Sequence, residues 1–109
     1  MTTITITKSS DGNYKWIESK GHAGFADAGE DIVCAAISVL MINTMNSVEK
    51  FTEDGIVATC DEDRAILKLE FKDTPSHEAD LLLKSFELGV NSIFEQYGKK
   101  YLNIKFRRE

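Results

Sequence analysis

The stretch DIVCAAISVLMINTM, from Asp31 to Met45, decides how this chain can fold. After Asp31 its only clearly polar side chains are Ser38, Asn43 and Thr44. It reads as part of a helix running from about Asp31 to Phe51. A helix that is apolar on every side has to be buried on every side. The rest of the chain supplies five short strands and one further helix, too little to cover it. A second subunit is therefore expected over the uncovered side, as a symmetric homodimer through this first helix.

The elements around it follow from local pattern. Between Thr2 and Thr7 isoleucine alternates with threonine, which puts Ile4 and Ile6 on one face of a strand. Asp11-Gly12-Asn13 is a turn signal, and Tyr14–Glu18 reads as the returning strand of a hairpin. A second hairpin is expected from Ile56–Thr59, a turn in CDEDR, and Ala65–Phe71. The second helix has start chemistry of its own: Thr74 as cap, Pro75 in the first helical position, and Glu78 and Asp80 near the positive end of the dipole. Leu82, Phe86, Val90, Ile93, Phe94 and Tyr97 recur on one side of it, and Gly98 ends it. Tyr101–Phe106 closes as a last strand. The order β-β-α-β-β-α-β implies an α+β two-layer sandwich, with two helices on a mainly antiparallel five-stranded sheet.

At 109 residues the chain is expected to be one domain, residues 1–109, able to bury a core without disulfides or metal. Charged residues make up 28%, ordinary for a folded soluble protein. The opening MTTITITKSS lacks the basic start and apolar stretch of a signal peptide. The apolar run Ile32–Ile42 is too short to span a bilayer and is interrupted by Ser38. These features lead to an expectation of a cytoplasmic protein without membrane contact, where Cys34 and Cys60 stay free thiols. Net charge is −5, unevenly spread: residues 1–98 carry 8 basic and 17 acidic side chains, residues 99–109 carry 5 basic and 1 acidic. An acidic body disfavours direct nucleic-acid binding, which rests on phosphate neutralisation, and favours a basic partner. The basic tail reads as a charged strand edge.

Upstream of the helix, GHAGFADAGE places His22 in a loop with Gly21, Gly24 and Gly29, twelve positions before Cys34. Cysteine attacks as its thiolate, and a helix N-terminus and a neighbouring imidazole both favour that form. Cys34 falls in the first or second turn of its helix, and His22 can act first as base and then as acid. Backbone N–H groups of the same turn are candidates to hold an oxyanion. Asp31, three residues before Cys34, shares its helix face. It helps the reaction only if it orients the imidazole; as an N-cap it would take the Cys34 N–H, and Glu30 competes for either role. On spacing alone, Cys34 is equally readable as a small buried apolar residue among Val33, Ala35 and Ala36.

Residue patterns carry the reading further. GHA at Gly21–Ala23, the pair Phe25-Ala26, the run DIVCAA at Asp31–Ala36, and Ser38 and Leu40 beyond it closely resemble the signature of the Prp family of ribosomal-processing cysteine proteases. The resemblance is dense over about twenty residues, and chain length and element order fit over the rest. Phe25 and Ile37 are conservative departures. The resemblance implies His22 and Cys34 as the catalytic pair and Asp31 as candidate third member. It implies a substrate as well: the N-terminal extension of large-subunit ribosomal protein number twenty-seven in Firmicutes and related bacteria, a short, mostly apolar segment cut after an aromatic residue before the protein can function in the ribosome. A homodimer is implied too, and no cofactor.

Other candidates carry less. Cys60, at a strand end without CxxC spacing, reads as a structural thiol, and His77 as a solvated first-turn residue. A zinc site from His22, Cys34, Cys60 and His77 lacks the short paired spacings such sites use. Asp61-Glu62-Asp63 has no EF-hand loop around it and reads as a solvated turn. Two rivals to proteolysis stay open: a module that holds a ribosomal protein without cutting it, and a redox-sensing thiol at Cys34.

Overall fold

Alternation of β-branched residues with polar ones sets the frame of the molecule. The structure, a computed structural model, describes the backbone of residues 1–21 and 28–109 and the side chains of residues 1–21 and 32–109. Strand β1 (Thr2–Lys8) turns back into β2 (Tyr14–Lys20), and helix α1 (Ala28–Phe51) follows. Strands β3 (Ile56–Asp61) and β4 (Ile66–Phe71) form a second hairpin, then α2 (His77–Tyr97) leads to β5 (Leu102–Arg108). The five strands form one sheet in the order β3-β4-β2-β1-β5. Every pairing is antiparallel except β1 with β5, which run parallel after the long crossover through the rest of the chain. The expected two-layer α+β architecture is the one observed.

Period two decides which side of the sheet meets the helices. Ile4 and Ile6 of β1, Ile17 of β2, Leu69 of β4 and Leu102 of β5 are buried together with Val33, Ile37 and Met41 of α1 and Leu83, Phe86 and Val90 of α2. Burying each of the larger side chains contributes roughly 1.5–3 kcal/mol. The opposite face of the sheet stays open. There the Trp16 ring lies between two cations, Lys68 Nζ at 4.5 Å and the Arg107 guanidinium at 5.8 Å. Strand β5 is an edge, and its Lys105, Arg107 and Arg108 are exposed, which agrees with the reading of the tail.

Helix α1 has three sides rather than one uniform surface. Val33, Ile37, Met41, Thr44, Met45 and Val48 face the core. Cys34, Ser38 and Ile42, four residues apart, face a cleft. Ile32 and Val39 remain 51% and 67% exposed, and Ala35 lies between them. The span Ile32–Phe51 is long and apolar enough, at a mean hydropathy of 1.5, to cross a membrane by length and composition alone. It passes that test as a core helix does, with one side packed into the domain.

Two helix starts differ from the sequence reading. α1 begins at Ala28, so Asp31 is its fourth residue rather than its N-cap. α2 begins at His77, and its cap is Ser76, whose Oγ accepts the Ala79 N–H at 3.1 Å; Thr74 and Pro75 precede the helix. The Asp54 carboxylate fixes that choice by accepting the Ser76 N–H at 2.7 Å from the loop between α1 and β3. The helix ends as expected, at Gly98 with φ 76°, whose N–H reaches the Phe94 carbonyl.

Candidate active site

Cys34 is half-buried on the side of α1 that looks toward the β3–β4 hairpin, and it lines a cleft of about 430 Å³. Ser38 and Ile42 continue the same helix stripe. The facing wall comes from Ser19 of β2 and from Ile66 and Leu67 of β4. One end is closed by Thr2 and Gly21, where β1 begins and β2 ends. At the hairpin tip the cleft is bordered by Cys60, Asp61, Glu62, Asp63 and Ala65. The space is therefore an apolar slot with a thiol on one wall and carboxylates along one rim.

The rim is partly self-satisfied. The Asp61 carboxylate accepts the Arg64 N–H at 3.1 Å and lies 3.7 Å from Arg64 Nε, which closes the turn. Glu62 and Asp63 project into solvent. The turn ends at Ala65, whose φ of 54° lies in the left-handed region that an alanine rarely adopts. Its N–H donates to the Glu62 carbonyl at 3.2 Å, and its own carbonyl accepts the Gly21 N–H at 3.1 Å. The hairpin tip is thus tied to the end of β2.

The helix start bears on the oxyanion. Only the N–H groups of a helix's first turn lack a partner within it, here those of residues 28–30. Cys34 is the seventh residue, so in a regular helix its own N–H bonds one turn back. Cys34's own turn therefore does not supply the free donors expected there. Asp31 still shares a face with Cys34 at a spacing of three. The side chains of Asp31 and Glu30, and the whole of His22, lie outside the described residues. His77 is exposed as the first residue of α2. Among the described residues no three His, Cys, Asp or Glu side chains gather to hold a metal.

Cys60 needs correcting. The sequence reads it as a structural thiol, but it is exposed on edge strand β3 and lines the same cleft as Cys34. Its burial depended on strand order, because the face it occupies is covered by helix only over the inner strands. The stripe Cys34–Ser38–Ile42 was available from helical spacing. The contribution of Gly21 and Ala65 was not, since it arises from two loops brought together by the sheet.

A family model described as cysteine protease Prp matches residues 1–102. The chain belongs to the cysteine protease Prp family. Its chemistry is accordingly the hydrolysis of peptide bonds by a cysteine. The ribosomal processing cysteine protease Prp of Staphylococcus aureus is 28% identical over 106 residues, covering 96% of this chain and 100% of that protein. Two solved Prp structures share the fold over almost the full length. The essential ribosomal processing protease Prp from S. aureus with a substrate peptide covers 100% of both chains at 26% identity, with a TM-score of 0.87. The same protease with a covalently linked product peptide covers 98% of this chain and 100% of its own at 25% identity, with a TM-score of 0.86.

Proposed function

We propose that this Prp-family protein is a single-domain cytoplasmic endopeptidase that removes the N-terminal extension of large-subunit ribosomal protein number twenty-seven. Cys34 is the nucleophile and His22 its base, with Asp31 orienting the imidazole and Glu30 as the competitor for that role. The observation that carries the reading is the cleft itself: Cys34 forms one wall, and Gly21, covalently next to His22, closes one end. The relatives are named for ribosomal processing, and S. aureus Prp holds a substrate peptide and a covalently linked product peptide. A ribosomal-protein substrate in turn supports the cytoplasmic assignment.

The steps balance as acyl transfer. His22 takes the thiol proton of Cys34, and the sulfur attacks the carbonyl carbon of the scissile peptide. His22 then gives that proton to the leaving amine, which departs with the mature ribosomal protein. The extension stays on Cys34 as a thioester until water, deprotonated by the same imidazole, releases it as a carboxylic acid and restores the thiol. Ile42, Ile66 and Leu67, which line the slot, bind the extension during both steps.

The protein is further proposed to act as a homodimer through the exposed side of α1. One observation favours a second reading, a redox-sensing thiol: both cysteines line one cleft. Incubation with a peptide spanning the extension separates the two. Two products whose masses sum to substrate plus water, lost in Cys34→Ala and in His22→Ala, support the protease. An intact peptide alongside reversible peroxide oxidation of Cys34 supports the sensor and ends the proteolytic reading.

A further inference from the structure

We infer that the outer edge of β5, with the groove between β5 and α2, is a docking site for an extended acidic segment of another polypeptide, which adds to the sheet as a further strand. The site stands apart from the cleft of Cys34 and does not rest on the peptidase reading. Two helices, each about 10 Å across, cover roughly four strands at a spacing of about 4.8 Å, so a five-stranded sheet overhangs them. Phe106 shows the consequence. Its neighbour in register, Ile6, is 1% exposed, whereas Phe106 is 61% exposed on the same side of the sheet. Beside it lies an open groove of about 460 Å³, lined by Ile104 and Phe106 of β5, Asn91 and Phe94 of α2, and Lys99 in the turn between them.

Backbone and charge together say what fits there. β5 is the last strand of the sheet, and β1 pairs with it on one side. Among the described residues no strand lies on its other side, where alternate backbone N–H and C=O groups form a template for one more. Its side chains alternate. Ile104 and Phe106 share the helix side with Ile4 and Ile6, while Lys105 and Arg107 stand on the open face beside Thr5 and Thr7. No carboxylate among the described residues forms an ion pair with Lys99, Lys105 or Arg107. A strand that complements this edge therefore alternates apolar side chains, which enter the groove, with aspartate or glutamate, which meet Lys105 and Arg107. A second copy of this chain fits poorly, because two-fold pairing of β5 with itself sets one positive row against another. Nucleic acid would use the cations but neither the strand edge nor the apolar groove. The Cys34 cleft borders the β3–β4 hairpin at the opposite edge of the sheet, so both sites can be filled at once.

The probe is a fluorescent peptide of alternating valine and glutamate, matched to the 7 residues of β5 and titrated into the full chain by anisotropy. Expected are saturable binding, slower amide hydrogen exchange within residues 102–108, and an affinity unchanged when Cys34 is alkylated. Lys105→Glu/Arg107→Glu should weaken binding by about 10-fold or more, because like charges then face each other. Phe106→Ser should weaken it by about 10-fold as well, with a melting temperature close to wild type, since the ring is exposed in the free chain. Absence of saturable binding overturns the inference. So does full affinity in Lys105→Glu/Arg107→Glu, or exchange protection confined to other strands. A peptide of alternating valine and lysine that binds as tightly removes the charge argument and the inference with it. If a short oligouridine protects residues 102–108 and the acidic peptide does not, nucleic acid is the occupant instead. If Phe106→Ser turns a dimeric wild type into a monomer, a second copy is. Should Lys105→Glu/Arg107→Glu not fold, Lys105→Gln/Arg107→Gln takes its place, and unchanged affinity there overturns the inference equally.

Discussion

Tyr14 is 3% exposed at the start of β2, and its hydroxyl donates to Glu87 Oε1 at 2.9 Å. Lys8 Nζ lies 3.7 Å from the same oxygen and 4.6 Å from the centre of the Tyr14 ring. Burial, and then the bond to Glu87 with its negative charge, raise the Tyr14 pKa well above the usual tyrosine range. The unfolded chain ionises near the ordinary value of about 10. A group raised in the fold gives its full stabilisation below that value and loses it as pH climbs toward the folded one. Tyr14→Phe should therefore be less stable than wild type by about 1 kcal/mol at pH 7. The gap should narrow above pH ~10. Urea denaturation at both pH values checks this, and a gap of unchanged size in alkali counts against it. At the same scale, a motif singles out His22 and Cys34 in the sequence, and Cys34 lines the cleft. The contacts of Gly21 with Thr2 and Ala65 were not legible, because a glycine does not announce what it touches. Cys60 was misread for a related reason: its exposure depends on which strand lies at the edge.

The start of α2 shows how an element is finished by a distant residue. Ser76→Ala removes the side-chain acceptor for the Ala79 N–H and should cost about 1 kcal/mol in thermal or urea unfolding. Asp54 acts on the same turn from 22 residues upstream. Burial would raise its carboxyl pKa, but hydrogen bonds from Ser76 and the neighbouring Thr52 outweigh that and hold it below its ordinary value. A carboxylate lowered in the fold adds stability above its unfolded pKa, and that stability is lost as pH falls through the folded value. Asp54→Asn should thus melt below wild type at pH 7, with the two converging in strong acid. Equal melting temperatures at neutral pH would show that the carboxylate contributes nothing to the cap. Both helices, both hairpins and the final strand could be read from periodicity and turn residues, since these are local signals. The choice of Ser76 over Thr74 could not, because Asp54 makes it. Nor could the parallel pairing of β5 with β1, which depends on where a long crossover returns.

For the whole molecule, charge and the uncovered side of α1 set the expectations. Glu62 and Asp63 border the cleft on an acidic body, so a peptide with lysines beyond the cut should be drawn in at low ionic strength. Raising salt shortens the Debye length to about 8 Å at physiological strength and should lower kcat/KM for such a peptide. Glu62→Lys/Asp63→Lys should flatten that dependence, whereas a salt-independent rate in the wild type argues against steering. The dimer tests α1 itself. Ile32, Ala35 and Val39 form an exposed apolar stripe beside the Cys34–Ser38–Ile42 side, so a subunit packed there would lie next to the cleft. A two-fold axis through this stripe would bring Val39 near its copy. Val39→Glu would then set like charges against each other in an apolar contact, a repulsion worth several kcal/mol. Val39 is 67% exposed within one chain, so the same substitution should leave the fold of the monomer intact. Sedimentation equilibrium at micromolar concentration should show wild type as a dimer and Val39→Glu as a folded monomer with unchanged circular dichroism. A monomeric wild type leaves the stripe without the expected partner, and a dimeric Val39→Glu moves the interface to another surface.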